Sequence, residues 1–312
     1  MRASVARVEG ENMAIDGILI VDKPPAMTSH DVVACLRRFS GESSVGHLGT
    51  LDPMATGVLP LVLGRMTRLA QFYQGAVKAY EGEISFGTVT DSYDADGDPV
   101  KFAPRCPAQS LTLESVLAAA AHFRGHLTQL PPPFSAKKIK GVPAYKLARR
   151  KLTVELKPVA VEIEEFVVDS LAEGRARFHA VVSAGTYVRS LAHELGQRLG
   201  CGAHLSALRR TRCGEFGLAD AYSLDDLSRR ISAGAGLGDC LIHPRRILPH
   251  MPAVTAPPEA AARLRHGNPV NLPEMSDAKL VRVFANQFEL IAIASRIAGT
   301  LFQPKIVLLT AC

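Results

Sequence analysis

Gly46-His-Leu-Gly-Thr-Leu-Asp-Pro-Met-Ala-Thr-Gly-Val-Leu-Pro60 sets three glycines and two prolines around a single histidine and a single aspartate. Glycine loses the most conformational entropy on ordering, so this composition suits a loop that must be held rigid where backbone approaches something closely. Two readings of Asp52 follow: a helix cap in a structural turn, or a carboxylate fixed in a cleft as nucleophile or base. A partner for Asp52 would decide between them, and within the segment only His47 qualifies.

Upstream, Gly17-Ile-Leu-Ile-Val-Asp22 reads as a buried strand. Lys-Pro-Pro at 23–25 stops it, because proline withholds a ladder donor. Thr28 or Ser29 caps a helix with Val32, Val33, Leu36 and Phe39 apolar, which puts Lys23 on a rim between strand end and helix start. Tyr80, Gly82, Ile84 and Phe86 share one strand parity. Leu111–Phe123 is a helix, and Val159–Val168 and Ala176–Ser183 are strands. Val182-Ser-Ala-Gly-Thr-Tyr-Val-Arg-Ser190 runs from a strand into a helix start, with Leu191, Leu195 and Leu199 on one helical face. If the extended form persists to Arg189, Tyr187 and Arg189 point the same way. An arginine there would keep Asp52 ionised and directed, and an aromatic would offer a flat surface for a base; the plainer alternative is a core tyrosine and a solvated arginine.

Charge points to the partner. Lys and Arg number 36 against 30 Asp and Glu, a formal net charge of +6. Arg124–Val154 holds eight Lys or Arg and no acid, and its Leu-Pro-Pro-Pro-Phe-Ser at 130–135 forms neither a continuous helix nor a central strand. Such a basic excursion suits a phosphate backbone. Leu208-Arg-Arg-Thr-Arg212 reads as a second basic patch. No apolar window reaches a membrane-spanning length, the first sixteen residues do not read as a secretory signal, and six scattered cysteines suit a reducing cytoplasm. Metal and nucleotide chemistry find no support. The Asp91–Asp98 run aligns Ala103 where a calcium loop needs glutamate, His122 and His126 lack the zinc-helix glutamate, and neither a dinucleotide fingerprint nor a Gly-x-Ser-x-Gly elbow occurs. Past Leu248, short apolar runs broken by Pro and Gly suggest a small β-rich domain of about sixty residues.

The chain resembles the bacterial tRNA pseudouridine-55 synthases of the TruB type. The resemblance rests on Val-Asp-Lys-Pro-Pro-Ala-Met-Thr-Ser at 21–29, Gly46–Pro60, Lys78-Ala-Tyr80, Pro132-Pro-Phe-Ser-Ala-Lys137, Gly141-Val-Pro-Ala-Tyr145 and Gly185-Thr-Tyr-Val-Arg189, in order and spacing. It implies an α/β (α+β) catalytic domain over 14–248, with a central mixed, largely antiparallel sheet and a thumb at 124–151. A small PUA-like β-barrel over 249–312 and an N-terminal extension at 1–13 complete the expected organisation.

The implied activity isomerises uridine 55 of the tRNA T-loop to pseudouridine, without cofactor or metal, in a cytoplasmic monomer needing no obligate protein partner. Asp52 is the implied catalytic residue and Arg189 its ion-pair partner. Tyr80 is implied to stack on the base, Tyr187 and Leu208 to wall its pocket, and His47 to fill the space the flipped nucleotide leaves. Lys23, Lys137, Lys138 and Lys140 are the implied RNA contacts. Leu48, Val182 and Arg149-Arg-Lys151 depart from the family pattern. An RNA chaperone and an RNA nucleosidase are the competing expectations.

Overall fold

The structure, a computed structural model, describes residues 15–135 and 156–308 together with the backbone of Lys138–Ile139 and Val142–Pro143. The extension at 1–13, Lys137, Lys140 and the side chain of Lys138 lie outside the described residues.

Strand β1 (Gly17–Lys23) is apolar on both parities because both of its faces are covered. Helix α1 (Ser29–Ser40) follows. Thr28, not Ser29, caps it through a reciprocal pair with Asp31, and left-handed Gly41 ends it. Next come β2 (Val45–His47), β3 (Thr56–Leu63) and 3₁₀ turns over Gly64–Tyr73. Strand β4 (Lys78–Phe86) leads to the hairpin β5 (Val89–Thr90) and β6 (Pro99–Val100). Helix α2 (Leu113–Ala120), capped by Thr112, and β7 (Gly125–Gln129) precede β8 (Lys138–Ile139) and β9 (Val142–Pro143). The sheet resumes with β10 (Val159–Ala172) and β11 (Arg175–Val182), then α3 (Val188–Leu199), β12 (Ala203–Cys213), β13 (Phe216–Gly217), β14 (Ala221–Tyr222) and α4 (Leu224–Ser232).

One ten-stranded sheet carries this body in the order β14-β1-β3-β12-β4-β11-β10-β7, with β2 on β3 and β13 on β12. It is mixed and largely antiparallel, as expected: only β1 with β14 and β3 with β12 run parallel. Leu19, Val21, Leu59, Leu61, Ile84 and Phe178 face a core closed by Val32 and Leu36 of α1, Val116 of α2, Leu191 and Leu195 of α3 and Leu227 of α4. The opposite parity, Ile18, Ile20, Val58 and Val62, packs on Met66, Leu69 and Tyr73 and on the last part of the chain.

That last part is a five-stranded sheet in the order β15-β17-β18-β19-β16, made of β15 (Ala253–Thr255), β16 (Val270–Asn271), β17 (Leu280–Phe284), β18 (Leu290–Ala298) and β19 (Leu301–Val307). Helix α5 (Pro258–Arg265), which the broken apolar rhythm did not announce, packs on β18 and β19. Phe284, Ile293 and Ile306 share a core with Ile18 and Phe216. Arg282 is buried in the seam, its Nε donating to Met251 O at 2.8 Å and its Nη1 to Arg245 O and Ile247 O at 2.7 and 2.8 Å.

Sequence and structure part company at Leu208–Arg212. This is a segment of β12 from which only part of the basic patch reaches the surface: Arg212 is exposed, Arg210 is buried, and Arg209 makes a two-point ion pair with Asp22 at 3.0 and 2.7 Å. A β-bulge between Arg210 and Arg212 re-aims the side chains there. Replacing Arg282 by Met would strand three seam carbonyls. We expect a loss of about 2–4 kcal/mol, read as a lower denaturant midpoint; an unchanged midpoint would contradict the role given to this side chain.

Candidate active site

A cavity of about 260 Å³ opens where the β3 loop, β4, β12 and the start of α3 meet. Its lining includes Asp52, Tyr80, Tyr187, Arg189, Leu208 and Arg210. Its volume sits just under the ~300–1,000 Å³ common for drug-sized ligands and suits a group the size of one nucleoside.

The loop from Gly49 to Thr56 carries Asp52, and buried cations fasten its backbone. Arg210 donates from Nε to Val58 O at 2.7 Å, from Nη1 to Thr50 O at 3.3 Å and from Nη2 to Gly49 O at 3.1 Å. The Lys23 Nζ donates to Pro24 O, Met27 O and Pro53 O at 2.8, 2.6 and 3.1 Å. Lys23 is 0% exposed, and burial pushes its ammonium down to about 8. Lys23, expected to contact RNA, spends its three donors inside the protein, two on the turn that follows it and one on Pro53 beside Asp52. Ser29 joins in, donating its hydroxyl to Leu51 O and accepting from Leu51 N. The glycine-rich composition has a concrete cause at Gly57. Its φ is +98°, and a Cβ there would sit 2.2 Å from Arg210 O, so the close approach is to the protein's own β12.

Arg189 supplies the missing partner of Asp52. Its Nη2 donates to Asp52 Oδ1 at 3.0 Å, and its Nε lies 2.9 Å from Oδ2. The arginine side chain is 5% exposed and the aspartate 34%, so the pair presents its carboxylate to the cavity and hides its guanidinium. The helix begins earlier than an extended Tyr187–Arg189 stretch would allow: Tyr187 is the N-cap and Arg189 sits in the first turn, yet both reach the cavity. Three contacts escaped the sequence reading. Arg189 Nη1 donates to Ser92 O at 3.0 Å and lies 3.4 Å from Asp94 Oδ2, while Nη2 also donates to Phe134 O at 2.9 Å. The run Asp91–Asp98, dismissed for calcium, thus delivers a buried carboxylate to the site; backbone carbonyls leave no trace in a sequence.

Enclosure by protein pushes the Asp52 carboxyl above its usual value. Arg189 pulls the other way, and Asp94 adds a second negative charge that pushes it up. Tyr80 pairs across the strands with Arg210; burial raises its phenol, and the guanidinium opposes that rise. Tyr187 is locked by Gln129, whose Oε1 accepts from Tyr187 N at 2.8 Å and whose Nε2 donates to Tyr187 O at 3.1 Å. Leu208 is buried in the wall. His47 stands outside the cavity lining, its Nδ1 accepting from Gly49 N and its ring edge-on to exposed His30 with centroids 6.2 Å apart. Among the described residues, no group of three or more His, Cys, Asp or Glu could hold a metal ion, Cys35, Cys106, Cys201, Cys213 and Cys240 are unpaired, and no helix is long and apolar enough to cross a membrane.

Comparison with known proteins meets this geometry. Residues 37–188 match the family described as TruB family pseudouridylate synthase (N terminal domain), and residues 189–242 match the tRNA pseudouridylate synthase B C-terminal domain. A tRNA pseudouridine synthase B of Solibacter usitatus is 43% identical, covering 94% of this chain and 100% of its own length. One of Opitutus terrae is 49% identical over 68% of this chain and 86% of its own. Among solved structures, a Cbf5-Nop10-Gar1 complex gives a TM-score of 0.69 at 26% identity, covering 94% of this chain and 85% of that one.

A raised carboxyl keeps its proton to higher pH, so Asp52 begins to lose its charge earlier on acidification than a free side chain does. Because the folded state holds that proton more tightly than the unfolded chain, ionised Asp52 costs stability at neutral pH, and the cost fades as pH falls through the raised value. Carboxyl-carbon NMR titration, assigned by difference with Asp52→Asn, should place the Asp52 midpoint above 3.8 and lower it in Asp94→Asn. A midpoint at or under 3.8 would contradict the electrostatics described.

Proposed function

Because the chain belongs to the TruB family of pseudouridylate synthases, we propose that it converts uridine 55 in the T-loop of tRNA to pseudouridine, with Asp52 as the catalytic residue. The observation that carries this reading is the Asp52–Arg189 pair at the wall of a nucleoside-sized cavity: an open carboxylate, fixed from behind, flanked by two tyrosines and a leucine.

The isomerisation breaks the bond from N1 to C1′, turns the uracil, and joins C5 to C1′. The hydrogen on C5 leaves, N1 gains a proton, and nothing is oxidised or reduced. The base first leaves its stack, at a cost of about a few kcal/mol that is smaller for a loop nucleotide. Stacking on Tyr80 returns roughly 1–3 kcal/mol of that cost. A carboxylate has three routes: attack on C1′, removal of the C2′ proton to give a glycal-like intermediate, or addition at C6. Every one of them needs Asp52 ionised and aimed, which is the work of Arg189. In this reading Tyr80 also receives a sugar proton, Tyr187 and Leu208 hold the uracil edge, and His47 takes the place of the extruded nucleotide. Excluding water keeps an intermediate from hydrolysis and separates an isomerase from a nucleosidase.

In the same reading, residues 14–248 form the catalytic domain. The basic excursion with Lys137, Lys138 and Lys140 closes on the T-stem and T-loop, and 249–312 is a PUA-like unit that grips RNA by shape. The enzyme works in the cytoplasm as a monomer without an obligate protein partner. Position-resolved pseudouridine mapping on unmodified tRNA tests the proposal directly. Wild type should convert uridine 55 without releasing uracil, while Asp52→Asn should bind tRNA and convert none of it; substantial turnover by Asp52→Asn would remove the residue from this role.

A further inference from the structure

Between Ser92 and Asp94, the two residues of the Asp-rich turn that meet Arg189, stands Tyr93. Its backbone is left-handed, with φ +66°, a conformation that costs any residue carrying a Cβ. On either side of it, the Ser92 carbonyl and the Asp94 carboxylate converge on one guanidinium. The ring lies flat on His193, with centroids 3.8 Å apart and planes 9° from parallel. His193 follows Arg189 by four residues on α3, one helical turn along the same face. Its Nδ1 is buried with no hydrogen-bond partner in the structure, so no bond through that nitrogen orients the imidazole. Burial also pushes the imidazole below its usual value. The backbone of the turn is secured separately, with Leu205 N donating to Tyr93 O at 3.0 Å and the Thr90 hydroxyl to Asp94 O at 2.7 Å.

We propose that the Tyr93–His193 stack is a positioning device for the catalytic pair: it clamps the apex of the Asp-rich turn to α3, so that Ser92 and Asp94 hold Arg189, and Arg189 holds Asp52, in the reacting direction. Neither ring touches the substrate cavity, whose lining includes neither residue. The inference rests on Asp52 being the catalytic residue, and its effect is on turnover and not on RNA affinity.

Single-turnover pseudouridine formation on tRNA, measured with tRNA binding and thermal unfolding on the same preparations, tests it. Tyr93→Gly accepts the left-handed backbone without strain while deleting the ring. Its rate should fall about ten- to a hundredfold, the scale of a small misplacement of reacting groups, with tRNA affinity unchanged. His193→Leu should fall similarly and carries the test should Tyr93→Gly not fold. His193→Phe, which restores a flat ring, should recover most of what His193→Leu loses, a rescue that simple space-filling does not give. Wild-type rates in the ring-deleting variants, or His193→Phe as slow as His193→Leu, would overturn the proposal. An active Asp52→Asn would instead sink the functional reading beneath it, so the two failures are distinguishable.

Discussion

The guanidinium of Arg189 is the constraint on which the site depends. It joins four segments that are distant in sequence: the loop bearing Asp52, the turn bearing Ser92 and Asp94, the chain at Phe134 within the basic excursion, and its own helix α3. Two carboxylates so close would repel each other if the cation between them were missing, and a buried cation without partners would be costly in its turn. The members of the arrangement therefore support one another. The arrangement leaves one carboxylate, that of Asp52, facing the cavity.

Behind this pair stands a layer of cations whose work is internal. Lys23 and Arg210 spend their donors on backbone carbonyls of the Asp52 loop and its flanks, and Arg282 does the same at the seam with the terminal sheet. Composition counts these residues as part of a basic surface, although they are among the most buried side chains in the protein. Their effect is to set the loop where Gly57 meets β12. The shared core of Phe216, Phe284 and Ile293 in turn fixes the terminal sheet against the ten-stranded sheet, so its distance from Asp52 is built into the fold.

How much of this was legible follows from where each signal lives. Strand alternation in β4, the Thr28 cap and the apolar face of α3 carry local rules, and the structure agrees with them within a few residues. Asp52 and Arg189 stood out because their surroundings are chemically unusual. Asp94 was hidden in an acidic run with an ordinary solvated reading, and Phe134 O and Ser92 O act through backbone. The burial of Lys23 and Arg210 depends on long-range register, between β1 and β3 and between β12 and β4. Helix α5 was missed because its eight residues lie among proline-broken apolar runs that read as strands.

The central claim is that Arg189 acts by direction as well as by charge. Lysine at this position keeps the positive charge but lacks the planar fork that meets both oxygens of Asp52 while reaching Ser92 and Phe134. The most direct measurement is the single-turnover rate of Arg189→Lys on unmodified tRNA, with affinity measured alongside. The account predicts a rate at least about a hundredfold below wild type with tRNA binding nearly unchanged; a rate close to wild type would show that charge alone suffices and would contradict it.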